Sequence, residues 1–201
     1  TCLPESVLAR ILSKAREVCP GRVEWTVEAG RPDTAAPEKL ALLRSYGVDR
    51  ISVNPQSFHD KTLQLIGRRH SVRDFYNAYE LVRKSRIPVV NVDLIIGLPQ
   101  ETEQEIASSL EQAVKLAPEN LTVHTLTLKR SAPLFQKQEQ AVLTTQAAEK
   151  MVQRAAEMAA AIGLEPYYLY RQHYMLGHLA NIGYAKPGTE SIYNIQMMKQ
   201  Y

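Results

Sequence analysis

Apolar positions recur along the chain with two alternating periods. Between Pro4 and Val18 they fall at Val7, Leu8, Ile11, Leu12, Ala15 and Val18, one face of a helix, and Pro20-Gly21 stops it. Val23 to Val27 reads as a strand. Pro37 to Tyr46 returns to the helical period through Leu40, Leu43 and Tyr46, with Gly47 at its C-terminal end. Arg50 to Val53 is a second strand. Ser71 to Lys84 is a helix in which Ser71 and Asp74 stand at capping-box spacing, and Thr102 and Glu105 repeat that spacing ahead of Ile106, Leu110 and Val114. Pro88 to Ile96 is almost continuously apolar, as a strand covered on both faces should be. Leu121 to Leu128 is a further strand, Thr144 to Ile162 a long Ala-rich helix ended by Gly163, and Pro166 to Tyr170 a last short strand.

Strands alternating with helices imply an α/β fold with a parallel sheet and crossover helices. An open doubly wound sheet and a (β/α) barrel share this periodicity. A complete eight-strand barrel takes about 250 residues, so about five strands would make a partial barrel of parallel strands with outer helices. Beyond Arg171 the pattern becomes irregular, and that tail is expected to be poorly ordered if its packing partners are missing.

Composition narrows the function classes. The 201 residues are 45% apolar and 22% charged, with a formal net charge of +3. That charge is too small to argue for nucleic acid, and no Lys/Arg block appears. No apolar run approaches the ~20 residues of a membrane span, and no signal-peptide pattern is present. The expectation is a cytoplasmic protein with neither nucleic-acid nor membrane partners. Cys2 and Cys19 are too far apart for a Cys-x-x-Cys unit, so no metal site is expected from them. The chain starts at Thr1 without Met, and both ends read as cuts through a longer protein.

Polar residues inside apolar strands carry the chemical information. Alternation along Val89 to Ile95 puts Asn91, Asp93 and Ile95 on one face and Val90, Val92, Leu94 and Ile96 on the helix-facing side. A buried, unpaired carboxylate costs several kcal/mol. Asp93 therefore needs a ligand or a structural ion pair, for which Arg50 and Arg68 are candidates. Glu28 follows the first strand, where parallel α/β folds place their ligands; it suits an amine or ribose hydroxyl, or it is a solvated loop acid. Gln56 follows the second strand and offers both donors and acceptors, or is a turn residue. Arg68 can fork onto a carboxylate, or it is one of a solvated Arg-Arg pair with Arg69. Gly97-Leu98-Pro99 ends the strongest strand. His124 reads as a satisfied core histidine, and Tyr167-Tyr168-Leu169-Tyr170-Arg171 as a strand packing its rings or as tyrosines near a radical or tetrapyrrole site. The residues offer no acid–base pair, so catalytic residues stay unassigned.

Four segments resemble the oxygen-independent coproporphyrinogen III oxidases of the radical S-adenosylmethionine superfamily. They are Glu28-Ala29 before Pro32-Asp33, Arg50-Ile51-Ser52-Val53-Asn54-Pro55-Gln56-Ser57-Phe58, Leu65-Ile66-Gly67-Arg68-Arg69-His70, and Asn91-Val92-Asp93-Leu94-Ile95-Ile96-Gly97-Leu98-Pro99-Gln100-Glu101-Thr102. They look like the family's Glu-Ala-x-Pro, Arg-Ile-Ser-x-Gly-Val-Gln-Ser-Phe, Leu-Gly-Arg-x-His and Asp-Leu-Ile-x-Gly-Leu-Pro-x-Gln-Thr segments, in the same order. Two further stretches, Gly30 to Thr34 and Tyr168 to Gln172, look like the HemZ-like coproporphyrinogen dehydrogenase branch. The sequence departs at Asn54-Pro55, where relatives carry Gly, and at Leu169, where they often carry Glu.

The resemblance implies a partial barrel over residues 1–163, truncated on its N-terminal side, and the start of an incomplete substrate-side region over 164–201. It implies that Glu28, Gln56, Arg68 and Asp93 contact S-adenosylmethionine. It also implies a 4Fe–4S cluster whose cysteine ligands are not in this chain, so that this chain alone is expected to be inactive. The implied reaction is oxidative decarboxylation of coproporphyrinogen III to protoporphyrinogen IX. The implied partners are a tetrapyrrole substrate and an electron donor such as flavodoxin or ferredoxin. A haem-binding or haem-trafficking relative on the same scaffold is the alternative. In either case the four residues should share one concave surface at the carboxyl end of the sheet, rimmed by Gly97-Leu98-Pro99.

Overall fold

The computed structural model describes residues 3–21, 23–127, 143–171, 175–176 and 179–198. Cys2, the predicted strand end at Leu128, and Gln172 lie outside them. Helix α1 (Glu5–Val18) leads into β1 (Thr26–Gly30), a short 3-10 turn (Pro32–Thr34) and α2 (Pro37–Ser45). Next come β2 (Arg50–Val53), α3 (Asp60–Leu65), α4 (Val72–Lys84), β3 (Val89–Ile96), α5 (Glu103–Lys115) and β4 (Asn120–Thr125). The remaining elements are α6 (Thr145–Ala161), β5 (Glu165–Tyr170), β6 (Asn181–Ala185) and α7 (Ile192–Met198).

Both predicted capping boxes form. Ser71 caps α4 with Asp74 reaching back to it, and Thr102 caps α5 with Glu105 doing the same. Each box satisfies first-turn amides that have no intrahelical partner. The helices thus start where the strands before them have ended, and α4 and α5 fold back against β2 and β3.

The sheet among the described residues has the order β1-β2-β3-β4-β6-β5. The first four strands are parallel, and β6 runs antiparallel to both β4 and β5. Val90, Val92, Leu94 and Ile96 are buried in the helix-facing core with Ile51, Val53, Leu121 and Val123. Burying each such side chain contributes roughly 1.5–3 kcal/mol, which pins the register.

Three expectations need correction. The first strand is Thr26–Gly30 rather than Val23 to Val27. Its pairing with β2 starts with Thr26 opposite Arg50, and Asp49 and Arg50 close the preceding turn onto the Trp25 carbonyl. The last strand does not extend a parallel series but sits at the far edge, beyond β6. The tail is not without structure, because Asn181–Ala185 inserts between β4 and β5 and α7 packs on β5.

Candidate functional site

Strand register decides which polar residues meet. Glu28 pairs with Ser52, Ser52 with Asn91, and Asn91 with Asn120, forming one row across four strands. The next row toward the carboxyl end holds Asp93, Thr122, Gly183 and Tyr168. Since Val90, Val92 and Leu94 are buried among the helices, Asn91 and Asp93 belong to the opposite, inner face.

Asn91 is the hub of that face. Its amide nitrogen donates to Asp93 Oδ1 at 2.7 Å and to Ser52 Oγ at 3.3 Å, and its oxygen accepts from Thr122 Oγ1 at 3.2 Å. Ser52 Oγ donates onward to Glu28 Oε1 at 2.9 Å. The two carboxylates are thereby joined through Ser52 and Asn91. Among the described residues Asp93 makes no ion pair with Arg50 or Arg68, the structural alternative to a ligand. His124 Nε2 lies 3.6 Å from Asp93 Oδ2 instead, and Arg50 is committed to Glu24 and Asn120.

Two groups on this face have raised pKa values. Glu28 keeps an exposed surface on the edge strand, yet protein packed around its carboxyl raises its pKa; desolvation is the largest cause, Ser52 opposes it, and the Asp93 charge adds to it. Tyr168 is pushed up to about 12, mainly by burial, with the Asp93 and Glu28 charges contributing. Its ring covers Gly183 so closely that a Cβ there would overlap it, and it shares a hydrogen bond with Thr122. Between the inner face and the segment around Ser191 and Asn194 lies a cavity of about 420 Å³ lined by Glu28, Ser52 and Asn91 together with Glu24, Arg50 and Asn120, and not by Asp93 or Gln56.

Gln56 reaches the same end of the sheet by a backbone device. Its φ is +67°, and its N–H donates to the Asp93 carbonyl at 3.1 Å while its carbonyl accepts from Ile95 at 3.0 Å. The residue is 7% exposed, and no described residue hydrogen-bonds its side-chain amide. Asn54, two residues earlier and also buried, has a side-chain oxygen with no partner among the described residues.

Glu28, Gln56 and Asp93 therefore lie together, with the turn after Ile96 beyond them. Arg68 stands apart. It follows α3 and lines a separate depression of about 930 Å³ with Arg31, Gly67 and Asp74, a lining that includes none of the other three. Among the described residues no hydrogen bond or ion pair fixes its guanidinium.

The sequence does not single out Asn91 as the hub; it reads His124 as a core residue and Tyr168 as part of either a ring-packing strand or a radical or tetrapyrrole site. The signal for Asn91 was available, since it shares Asp93's face in an apolar strand. His124 and Tyr168 needed the inter-strand register.

A model of the radical SAM superfamily matches residues 3–113. The oxygen-independent coproporphyrinogen-III oxidase-like protein HemZ of Bacillus subtilis is 48% identical over 178 residues, 88% of this chain and 36% of that protein. The heme chaperone HemW of the same organism is 36% identical over 103 residues, 51% of this chain and 27% of that protein. The solved coproporphyrinogen III oxidase HemN of Escherichia coli superposes with a TM-score of 0.74 at 20% identity, over 94% of this chain and 41% of that one. The chain thus spans about a third of the curated relatives it matches, and the partial barrel is the fold they share. No helix among the described residues is long and apolar enough to cross a membrane.

Proposed function

Since the chain belongs to the radical SAM superfamily, we propose that its inner face holds S-adenosylmethionine for a tetrapyrrole-directed reaction of the full-length protein. The superfamily uses this cofactor together with a 4Fe–4S cluster. One observation carries the reading. Two carboxylates, Glu28 and Asp93, share one hydrogen-bonded network, with His124 Nε2 3.6 Å from Asp93 Oδ2. A cationic ligand with hydroxyls would supply the charge and donors that this face lacks.

The residues present fit the organic cofactor. Its sulfonium and ammonium charges would be offset by Glu28 and Asp93, its hydroxyls would take their free lone pairs, and the unpaired Gln56 amide and buried Asn54 oxygen supply polar edges. Arg68 would take the methionine carboxylate, which requires its side chain to turn from the outer depression toward the sheet end. The residues do not fit the cluster. The chain has two cysteines, Cys19 is exposed, and no three metal-binding side chains gather among the described residues. With an electron from a cluster held elsewhere in the full-length protein, the bound cofactor would supply hydrogen-atom abstraction. The chain's own residues orient it, compensate its charge and, through Tyr168 and the apolar outer face, restrict water.

For the full-length protein the substrate reading is coproporphyrinogen III, oxidatively decarboxylated to protoporphyrinogen IX, with a flavodoxin or ferredoxin as electron donor and a cytoplasmic location. The 48% identity to the HemZ protein supports it. The similarity to HemW favours a second reading, haem binding without oxidation. Residues 164–201 would begin the substrate-side region. An anaerobic assay of the reconstituted full-length protein separates the two. Vinyl-bearing product is the expected outcome; stoichiometric haem binding without product would replace the oxidase reading with the haem-binding one.

A further inference from the structure

The turns after β2 and β3 are joined by a buried carboxylate that cofactor binding does not use. Glu101, 6% exposed, follows the Gly97-Leu98-Pro99 turn and accepts a short hydrogen bond from Ser57 Oγ. Ser57 Oγ also accepts the His59 N–H at 3.2 Å. The neighbouring backbone is tied to the same helix. Phe58 N–H donates to Ser109 Oγ of α5 at 3.1 Å, and His59 Nε2 lies 2.9 Å from the Glu105 carbonyl. The segment just after Gln56 is thus anchored to α5 and to the turn that precedes it.

Gln56 sits at the free side of that anchor. A left-handed φ in a non-glycine residue is a strained state that persists only where its surroundings over-determine it. Here two restraints oppose each other: β3 holds the Gln56 backbone through Asp93 and Ile95, and Glu101 holds the next residue, Ser57. Gln100, just before Glu101, carries a left-handed φ of +60° as well. The Ser57–Glu101 bond therefore links the two turns directly, beside the backbone bonds that hold Gln56 on β3. Burial raises the Glu101 pKa, while the Ser57 hydroxyl, His59 and the Thr62 hydroxyl favour the ionised form and Glu105 opposes it. Removing this acceptor would leave the buried Ser57 hydroxyl without an acceptor and remove one of the restraints on the residue next to Gln56.

We infer that Glu101 is a positioning residue of the cofactor site, acting through Ser57 to aim the Gln56 amide at the end of β3. This rests on the S-adenosylmethionine reading above. The test is a double-mutant cycle on the reconstituted full-length protein, with S-adenosylmethionine affinity read by calorimetry and folding by thermal melting. Glu101→Ala weakens binding about tenfold, the loss of one hydrogen bond to a charged or well-oriented group. Ser57→Ala reproduces that loss and stands in for Glu101→Ala if the latter does not fold. Glu101→Gln, which keeps an acceptor for Ser57, stays within about threefold of the parent. In a Gln56→Ala background, Glu101→Ala and Ser57→Ala cost nothing further, because their effect passes through Gln56. Additive losses would overturn the inference, as would full affinity in Ser57→Ala. If Gln56→Ala itself binds normally, Gln56 leaves the cofactor site and the reading beneath the inference fails instead.

Discussion

The inner face carries two polar clusters, one buried at the amino end and one partly exposed at the carboxyl end of the same strands, and they differ in whether their bonds are closed. At the amino end Arg50 is 4% exposed and fully engaged. Its guanidinium donates to Asn120 Oδ1 at 2.9 Å, Glu24 Oε1 at 2.5 Å and the Thr189 carbonyl at 2.5 Å. Asn120 also donates to Thr189 Oγ1 at 3.0 Å, and Glu24 accepts the Ile192 N–H at 3.0 Å. Charge there is matched by charge, and donors by acceptors. At the carboxyl end two carboxylates share Ser52 and Asn91, while the amide of Gln56 and the oxygen of Asn54 remain without partners among the described residues. Burial alone does not separate structural from functional polar groups; completeness of hydrogen bonding does. A closed cluster has nothing left to offer a ligand, and an open one has carried its desolvation cost for something.

The comparison breaks most visibly at Arg50. Arg50→Met leaves Glu24 without its cation and two acceptors without their donor, so it should cost about 3–5 kcal/mol. Chemical denaturation of the full-length protein measures this. S-adenosylmethionine affinity of the folded fraction should stay unchanged; a loss of affinity without a loss of stability would reverse the roles of the two clusters.

Gly183→Ala should strike both properties at once. The new Cβ overlaps the Tyr168 ring and drives it toward Asp93 and Thr122. Overpacking of this kind costs about 1–3 kcal/mol, and cofactor affinity should fall with it. Unchanged melting and unchanged affinity would show that the ring moves freely and does not wall the site.

The pH dependence of stability gives a finer contrast. Burial holds Glu101 above its ordinary value of 4.5. The folded chain therefore binds that proton more tightly than the unfolded chain does. Its contribution is fully present below about 4.5 and is lost as pH rises through the folded value. Glu101→Gln removes this titration, so its melting temperature should exceed the parent's at pH 7 and converge on it near pH 4.5. A gap that widens toward low pH would contradict the raised value.

Much of the architecture is legible in the sequence. β2 was read at Arg50–Val53 and is found there, and both capping boxes form where Ser71 and Thr102 stand. These signals are local, set by neighbours three or four residues away. β6 was not legible, because Asn-Ile-Gly-Tyr-Ala is short and holds a glycine, and it becomes a strand only by pairing with β4 and β5. Asp93's inward direction followed from alternation, whereas its partner did not. That His124 rather than Arg50 stands beside it depends on the register of β3 on β4. Arg68 shows the same boundary: its chemistry is plain in the sequence, but the depression it lines is a property of how α3 and α4 pack.

The most direct test of the central claim is a calorimetric titration of S-adenosylmethionine into the reconstituted full-length Asp93→Ala protein, alongside its thermal melt. Loss of a carboxylate that compensates a cationic ligand should weaken binding by about ten- to a hundredfold, with the melting temperature moved by no more than about 2 °C. Parent-like affinity combined with a large drop in melting temperature would return Asp93 to a purely structural role and refute the account of the open cluster.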